Sequence, residues 1–209
     1  MVIGFLLFFA SPVVARERFL LSTGMSSHSG TSLSSLTGGQ PYDLQAGEGL
    51  FLSLGVLFTV VPAVPHRFEA QLSGGYMFAD RGGSDERVSW SHVPLEAVYF
   101  YNNTQELFRF GWGPIYHVGN SLSGRGINAS ASTAVENALG WTVTAEKFLR
   151  SANGNDLWLF GVKYNVIKYR AALFRQDADG SAVFLTLTGF FGGGTSDANT
   201  DGDADAGND

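Results

Sequence analysis

The sequence predicts an all-β chain: an eight-stranded antiparallel up-and-down transmembrane β-barrel. Three observations carry this. Eight segments alternate apolar and polar residues with period two. The links between them alternate between short and long. Aromatic residues collect near the segment ends, on the apolar face.

The second and third segments set the pattern. In the second, Leu50, Leu52, Leu54, Val56, Phe58 and Val60 share one face, opposite Ser53, Gly55 and Thr59. In the third, Phe68, Ala70, Leu72, Gly74, Tyr76 and Phe78 alternate with Glu69, Gln71, Ser73 and Gly75. Pro62-Ala-Val-Pro65 separates the two. Charged and amide side chains in mid-strand mark the polar face as the inside, which puts the apolar face against lipid.

The first segment runs from Arg18 to Met25, with Phe19, Leu21, Thr23 and Met25 facing away from Ser22 and Gly24. The fourth spans Val88 to Tyr101 and sets Val93, Leu95, Ala97, Tyr99 and Tyr101 against His92, Pro94, Glu96 and Val98. In the fifth, Leu107 to Val118, aromatic residues at Phe108, Phe110, Trp112 and Tyr116 oppose Arg109, Gly111, Gly113 and His117. The sixth, Asn137 to Leu149, places Leu139, Trp141, Val143 and Ala145 opposite Thr142, Thr144 and Glu146. The seventh begins at Leu157 and places Trp158, Phe160, Val162, Tyr164 and Val166 opposite Lys163 and Asn165. The eighth, Ser181 to Phe191, sets Val183, Leu185 and Leu187 against Thr186 and Thr188. Segments of about 9–12 residues fit a tilted bilayer crossing. Short links follow the second, fourth and sixth segments, so those turns are expected on the periplasmic side. Pro94 and Pro114 lie inside segments and predict a bulge or irregular pairing there, because proline cannot donate to a ladder.

Composition agrees. Charged residues are 15% and Gly numbers 27, against a usual charged fraction of about 25%. The net charge is −6, yet five Asp follow Gly192, leaving 14 Asp+Glu against 13 Lys+Arg in residues 1–191. No basic stripe exists for nucleic acid. With no Cys, disulfides, thiolate catalysis and Cys-based zinc sites are excluded. Residues 1–15, MVIGFLLFFASPVVA, read as a secretory signal cut after Ala15, with Val13 and Ala15 as the small residues before the cut. The n-region cation is missing, which leaves room for a start upstream of Met1. Residues 16–191 are the expected barrel, and 192–209 an acidic disordered tail. In that tail Asp197, Asn199, Asp201 and Asp203 match the opening of a calcium loop, but Asn208 stands where a bidentate carboxylate is required.

The leader, strand count, link asymmetry and aromatic girdles together resemble the small eight-stranded outer-membrane barrels of the OmpA and OmpX type. The resemblance covers about residues 16–191. It implies the outer membrane of a Gram-negative bacterium, contact with membrane lipid and lipopolysaccharide, no cofactor, and a structural, surface-interaction or minor pore role with an extracellular ligand for the loops. Glu69, Glu96, Arg109, Glu146 and Lys163 all fall on the polar face and form the candidate site, an interior ion-pair network. Hairpin geometry predicts Glu96–Arg109 and Glu146–Lys163 contacts. No catalytic role is expected. The alternatives are a lipid A hydrolase using His117 with Ser121 and Ser123, or Ser91 and His92 with Glu96, and a soluble lipocalin-like carrier with its apolar face inward. Whether Leu52 or Ser53 points outward separates the carrier from the membrane barrel.

Overall fold

The computed structural model describes residues 17–27, 46–62, 65–82, 87–103, 105–126, 129–150, 157–170 and 177–191. The expected leader, the acidic tail and the calcium-loop candidate Asp197, Asn199, Asp201 and Asp203 lie outside them. Among the described residues ten strands form: β1 Arg18–Ser27, β2 Gly49–Val61, β3 His66–Gly82, β4 Arg87–Asn103, β5 Phe108–Gly126, β6 Ala129–Ala134, β7 Ala138–Arg150, β8 Leu157–Tyr169, β9 Ala178–Asp179 and β10 Ala182–Phe191. Eight of these build the wall, in the order β1-β2-β3-β4-β5-β7-β8-β10, and every contact between neighbours is antiparallel. β10 pairs back onto β1 from Phe19↔Phe191 to Ser27↔Val183, which closes the barrel. Closure satisfies the backbone of both terminal strands and leaves neither as an edge.

The wall is inverted relative to a soluble protein. Leu52 is 56% exposed and Ser53 9%. The carrier alternative is thereby overturned: period two fixes one face per strand, and the face holding Glu69 and Gln71 is the buried one. The outer face carries the large apolar residues of every wall strand, Leu54, Leu72, Leu95, Trp112, Leu139 and Leu185 among them. The interior of an eight-stranded barrel is just wide enough for its own side chains.

Strand length is the main correction to the sequence expectation. The wall strands run from 10 residues in β1 to 19 in β5, not 9–12. β3 and β4 continue to Arg81↔Val88 and Gly82↔Arg87. β5 continues to Gly126 and turns into β6, which pairs with it from Ser121↔Ala134 to Gly126↔Ala129. These Ser- and Gly-rich stretches read as loop by composition. They form ladder because the hairpins below them already set the register.

Pro94 and Pro114 interrupt the wall without opening it. The β3–β4 ladder breaks between Gly74↔Leu95 and Met77↔His92, around Pro94. The β4–β5 ladder breaks between Glu96↔Ile115 and Tyr99↔Trp112, around Pro114. Above them the register shifts: between Ser91↔Ser121 and Val93↔Val118, His92 alone faces Gly119 and Asn120. Gly119 has φ 63°, the left-handed conformation that such a bulge requires and that glycine adopts without strain.

Candidate functional site

The lumen has two storeys. The lower one holds the charges. Arg109, on β5, faces Glu146 on β7 directly in the ladder, and its guanidinium binds that carboxylate. It also lies 4.0 Å from Glu69 and donates to Gln71 at 3.4 Å. Its plane covers the Phe100 ring, with 3.9 Å to the centroid. Glu69 in turn takes Arg67 at 3.5 Å and Asn102 at 3.4 Å. Arg109 is 1% exposed and Glu69 2%, so each charge depends on these partners in place of water. Lys163, on β8, reaches across the lumen to Glu96 on β4 at 2.6 Å, and its ammonium sits 4.6 Å from the centre of Phe51 and 5.6 Å from that of Phe184.

The five charged residues therefore all face the lumen but fall into two groups, Glu69–Arg109–Glu146 and Glu96–Lys163, in other pairs than the sequence predicted. Glu96–Arg109 fails because the β4–β5 turn is centred lower than its Asn103–Thr104 sequence suggests. Glu96 lies opposite Ile115, and Arg109 opposite Asn102. Leu107, at φ 55°, completes that turn. Glu146–Lys163 fails for another reason. The register is the expected one, with Glu146 opposite Gly161, but the nearer cation for Glu146 is Arg109 on its other neighbour strand. That neighbour is joined through a long connection, whose register no turn residue reveals. Arg67 belongs to the network too. It sits two residues from Glu69 on the same face of β3, and strand alternation alone would have found it.

Between the two ion groups a cavity of about 20 Å³ remains, touched by Ser22, Ser53, Thr144, Thr186 and Thr188. That is space for one water. Ser22 and Thr188 share a hydrogen bond of 2.7 Å across the β1–β10 closure. Thr144 and Thr186 have buried hydroxyls without a protein partner, which a water there would serve.

The upper storey is an apolar plug. Trp90, Leu122, Val135, Ile167, Tyr169 and Ala178 form one buried cluster with Ala46, Ala79, Val88 and Ala138. Under it, the His92 and His117 rings stack with centroids 4.2 Å apart. The Tyr169 hydroxyl bonds His117 Nδ1 at 2.5 Å, and Trp90 meets Tyr169 edge-on at 5.2 Å. β3, β4, β5, β7, β8 and β9 supply this layer, with Ala46 and Val135 from the connections between strands.

The geometry separates the hydrolase candidates. His117 points into the lumen, while Ser121 and Ser123 lie on the opposite face of β5, beyond the bulge, and Ser123 bonds Ser89 at 2.6 Å. Ser91 is on the outer face of β4, whereas His92 is inside it, and Glu96 is bound to Lys163. Neither Ser–His pair meets. Among the described residues no group of three or more His, Cys, Asp or Glu side chains is placed to hold a metal ion.

Outside, aromatic rings mark two levels. Phe19 stacks on Phe191 at 6.0 Å and Phe68 packs on Tyr101 at 5.7 Å, both beside the short turns. Tyr76 stacks on Phe78 at 6.2 Å toward the other end, where Tyr116, Trp141 and Tyr164 are also exposed.

No protein-family model and no curated protein matches the chain. Among the solved structures that resemble it are two of Ail, the attachment invasion locus protein of Yersinia pestis. One, in complex with the heparin analogue sucrose octasulfate, is 9% identical, covers 84% of this chain and 97% of its own, and has a TM-score of 0.47. The other is 8% identical, covers 83% and 96%, and has a TM-score of 0.47. The barrel is established by the chain's own pairing, closed from β10 to β1.

Proposed function

We propose that this chain is an integral outer-membrane barrel of a Gram-negative bacterium, with a plugged lumen and a structural or surface-interaction role. One observation carries the reading: large apolar side chains cover the outside of a closed sheet while Glu69, Arg109, Glu146 and Lys163 are buried inside it. In water that distribution is unstable; in a bilayer it is the only stable one for a sheet. Membrane lipid and lipopolysaccharide are then the constant partners of the belt. The strands that rise above the belt, β3–β4 and β5–β6, make a paired scaffold that presents the connections to an extracellular ligand.

The plug favours this role over a pore. The ion pairs lie beneath Trp90 and Tyr169, so exchanging their partners leaves the apolar layer closed. Planar-bilayer recording tests this. The wild type and Lys163→Met are expected at the conductance of bare lipid, and Trp90→Ala with Tyr169→Ala above it. A conducting wild type overturns the plugged reading. The membrane assignment is tested separately, by recovery in the outer-membrane fraction and by a shift in gel migration on boiling. A carbonate-soluble protein without that shift overturns it.

A further inference from the structure

A groove of about 650 Å³ indents the outer wall over β2, β3, β4 and β5. Its floor is made of small residues, Gly74, Ala97 and Pro114, and its walls of Leu54, Leu72 and Leu95. It lies directly over the two places where proline interrupts the ladders, on either side of β4. Around it stand larger apolar side chains, Phe19, Val56 and Tyr116. Here the wall is cut down to backbone, and only a chain lying in the cut removes the void.

We propose that this groove is a binding site for one acyl chain of a membrane phospholipid. The inference rests on the membrane reading above. Three features select the occupant. The site opens sideways from the belt, so hydrocarbon is what it faces. The residues lining it bring no cation, its one charged member being Glu96. Lipid A, with phosphates to neutralise, is therefore a poor fit. The exposed arginines at the rim offer no substitute, since Arg81 is bound to Glu48 and Arg87 to Asp80. A second copy of this chain is disfavoured by shape. A two-fold contact sets groove against groove and leaves the hollow unfilled.

The groove can be filled without touching the lumen. A Cβ at Gly74 meets the flexible tip of Leu95 at 3.2 Å and, in ordinary contact, the Pro94 carbonyl oxygen at 4.0 Å. The test uses Gly74→Leu with Ala97→Leu, and Ala145→Leu, on the outer face of β7 away from the groove, as the control. Each protein is placed in nanodiscs of phosphatidylethanolamine and phosphatidylglycerol doped with lipid A, released, and weighed by native mass spectrometry. The wild type and the control are expected to keep one phospholipid, and the filled variant to lose it about tenfold or more. Equal retention by all three overturns the proposal, as does a retained lipid A or a dimer that the filled variant abolishes. A gel shift on boiling, measured on the same samples, shows whether the barrel itself has formed. Failure of the groove is thereby distinguished from failure of the membrane reading.

Discussion

Arg109 shares two carboxylates, an amide and an aromatic face, and nothing in the lumen replaces it. Removing it leaves Glu146 without its cation and Glu69 with Arg67 and Asn102. Breaking a buried pair by taking one partner costs about 3–5 kcal/mol, whereas neutralising both is far cheaper. Arg109→Ala is thus expected to lose that much in urea unfolding from lipid vesicles. Arg109→Met with Glu146→Gln is expected to recover most of it. Equal losses in the two would mean that the packing of Arg109 on Phe100, not its charge, holds the lower storey. At the rim the same physics is weak and depends on pH. Asp80 lies on the outer face above the belt, and its hydrogen bond to Arg87 holds its carboxyl below the ordinary value of 3.8, against a smaller opposing effect of burial. A depressed folded value means that the pair stabilises the β3–β4 tip above about pH 3.8 and releases it as pH falls through the lower, folded value. A carboxyl titration of Asp80 by NMR is expected to have its midpoint below 3.8, and Arg87→Ala to bring it back up. The members of the charged site were legible because each occupies the polar parity of its strand. Their pairing was not: it depends on register across the long β5–β7 connection and on a β4–β5 turn centred at Gln105–Glu106 and completed by Leu107.

Strands were legible where one face is continuously apolar, as from Leu50 to Val60. They were not where neither face carries a continuous apolar stripe, as in β6 and the upper part of β5. A ladder above the membrane needs no apolar stripe, only a partner already in register. Trp90 and Tyr169 follow the inward parity of β4 and β8. Their meeting over His92 and His117 depends on how far those strands rise, which alternation does not report. The bulge beside His92 sets that height locally, and it hinges on Gly119. A Cβ there meets nothing within 4 Å, so the left-handed backbone is the only penalty for a larger residue. Gly119→Ala is therefore expected to cost about 1–2 kcal/mol, and Gly119→Asn less, by urea unfolding. An Ala variant as stable as the wild type would show that the bulge moves to an ordinary conformation instead.

For the whole molecule, the outer face acts as a solvent-matched surface, and its depth profile can be read by charge. Val162 is 44% exposed on β8, midway between Trp158 and Val166, while Val60 is 50% exposed at the foot of β2 next to the Pro62 turn. Both are valines of similar exposure, both face outward, and neither touches the lumen network. In water the two positions would accept arginine equally well. In a bilayer the mid-belt position costs about 2–4 kcal/mol and the interfacial one about 0–1. Val162→Arg and Val60→Arg, unfolded with urea from lipid vesicles, are expected to differ by that margin, and the difference should shrink in detergent micelles that let the guanidinium reach water. Equal costs in lipid would mean that the apolar face is covered by something other than a bilayer. A second, smaller contrast follows from the interior. Thr142 is fully buried on the opposite face of the wall, where polar neighbours and a narrow bore replace lipid. There, size decides and charge depth does not. Thr142→Val is expected to keep the wild-type midpoint in urea unfolding, because it keeps the volume and removes a hydroxyl that has no protein partner. A barrel whose outside is tuned to depth and whose inside is tuned to volume is what period-two alternation produces when the solvent is hydrocarbon.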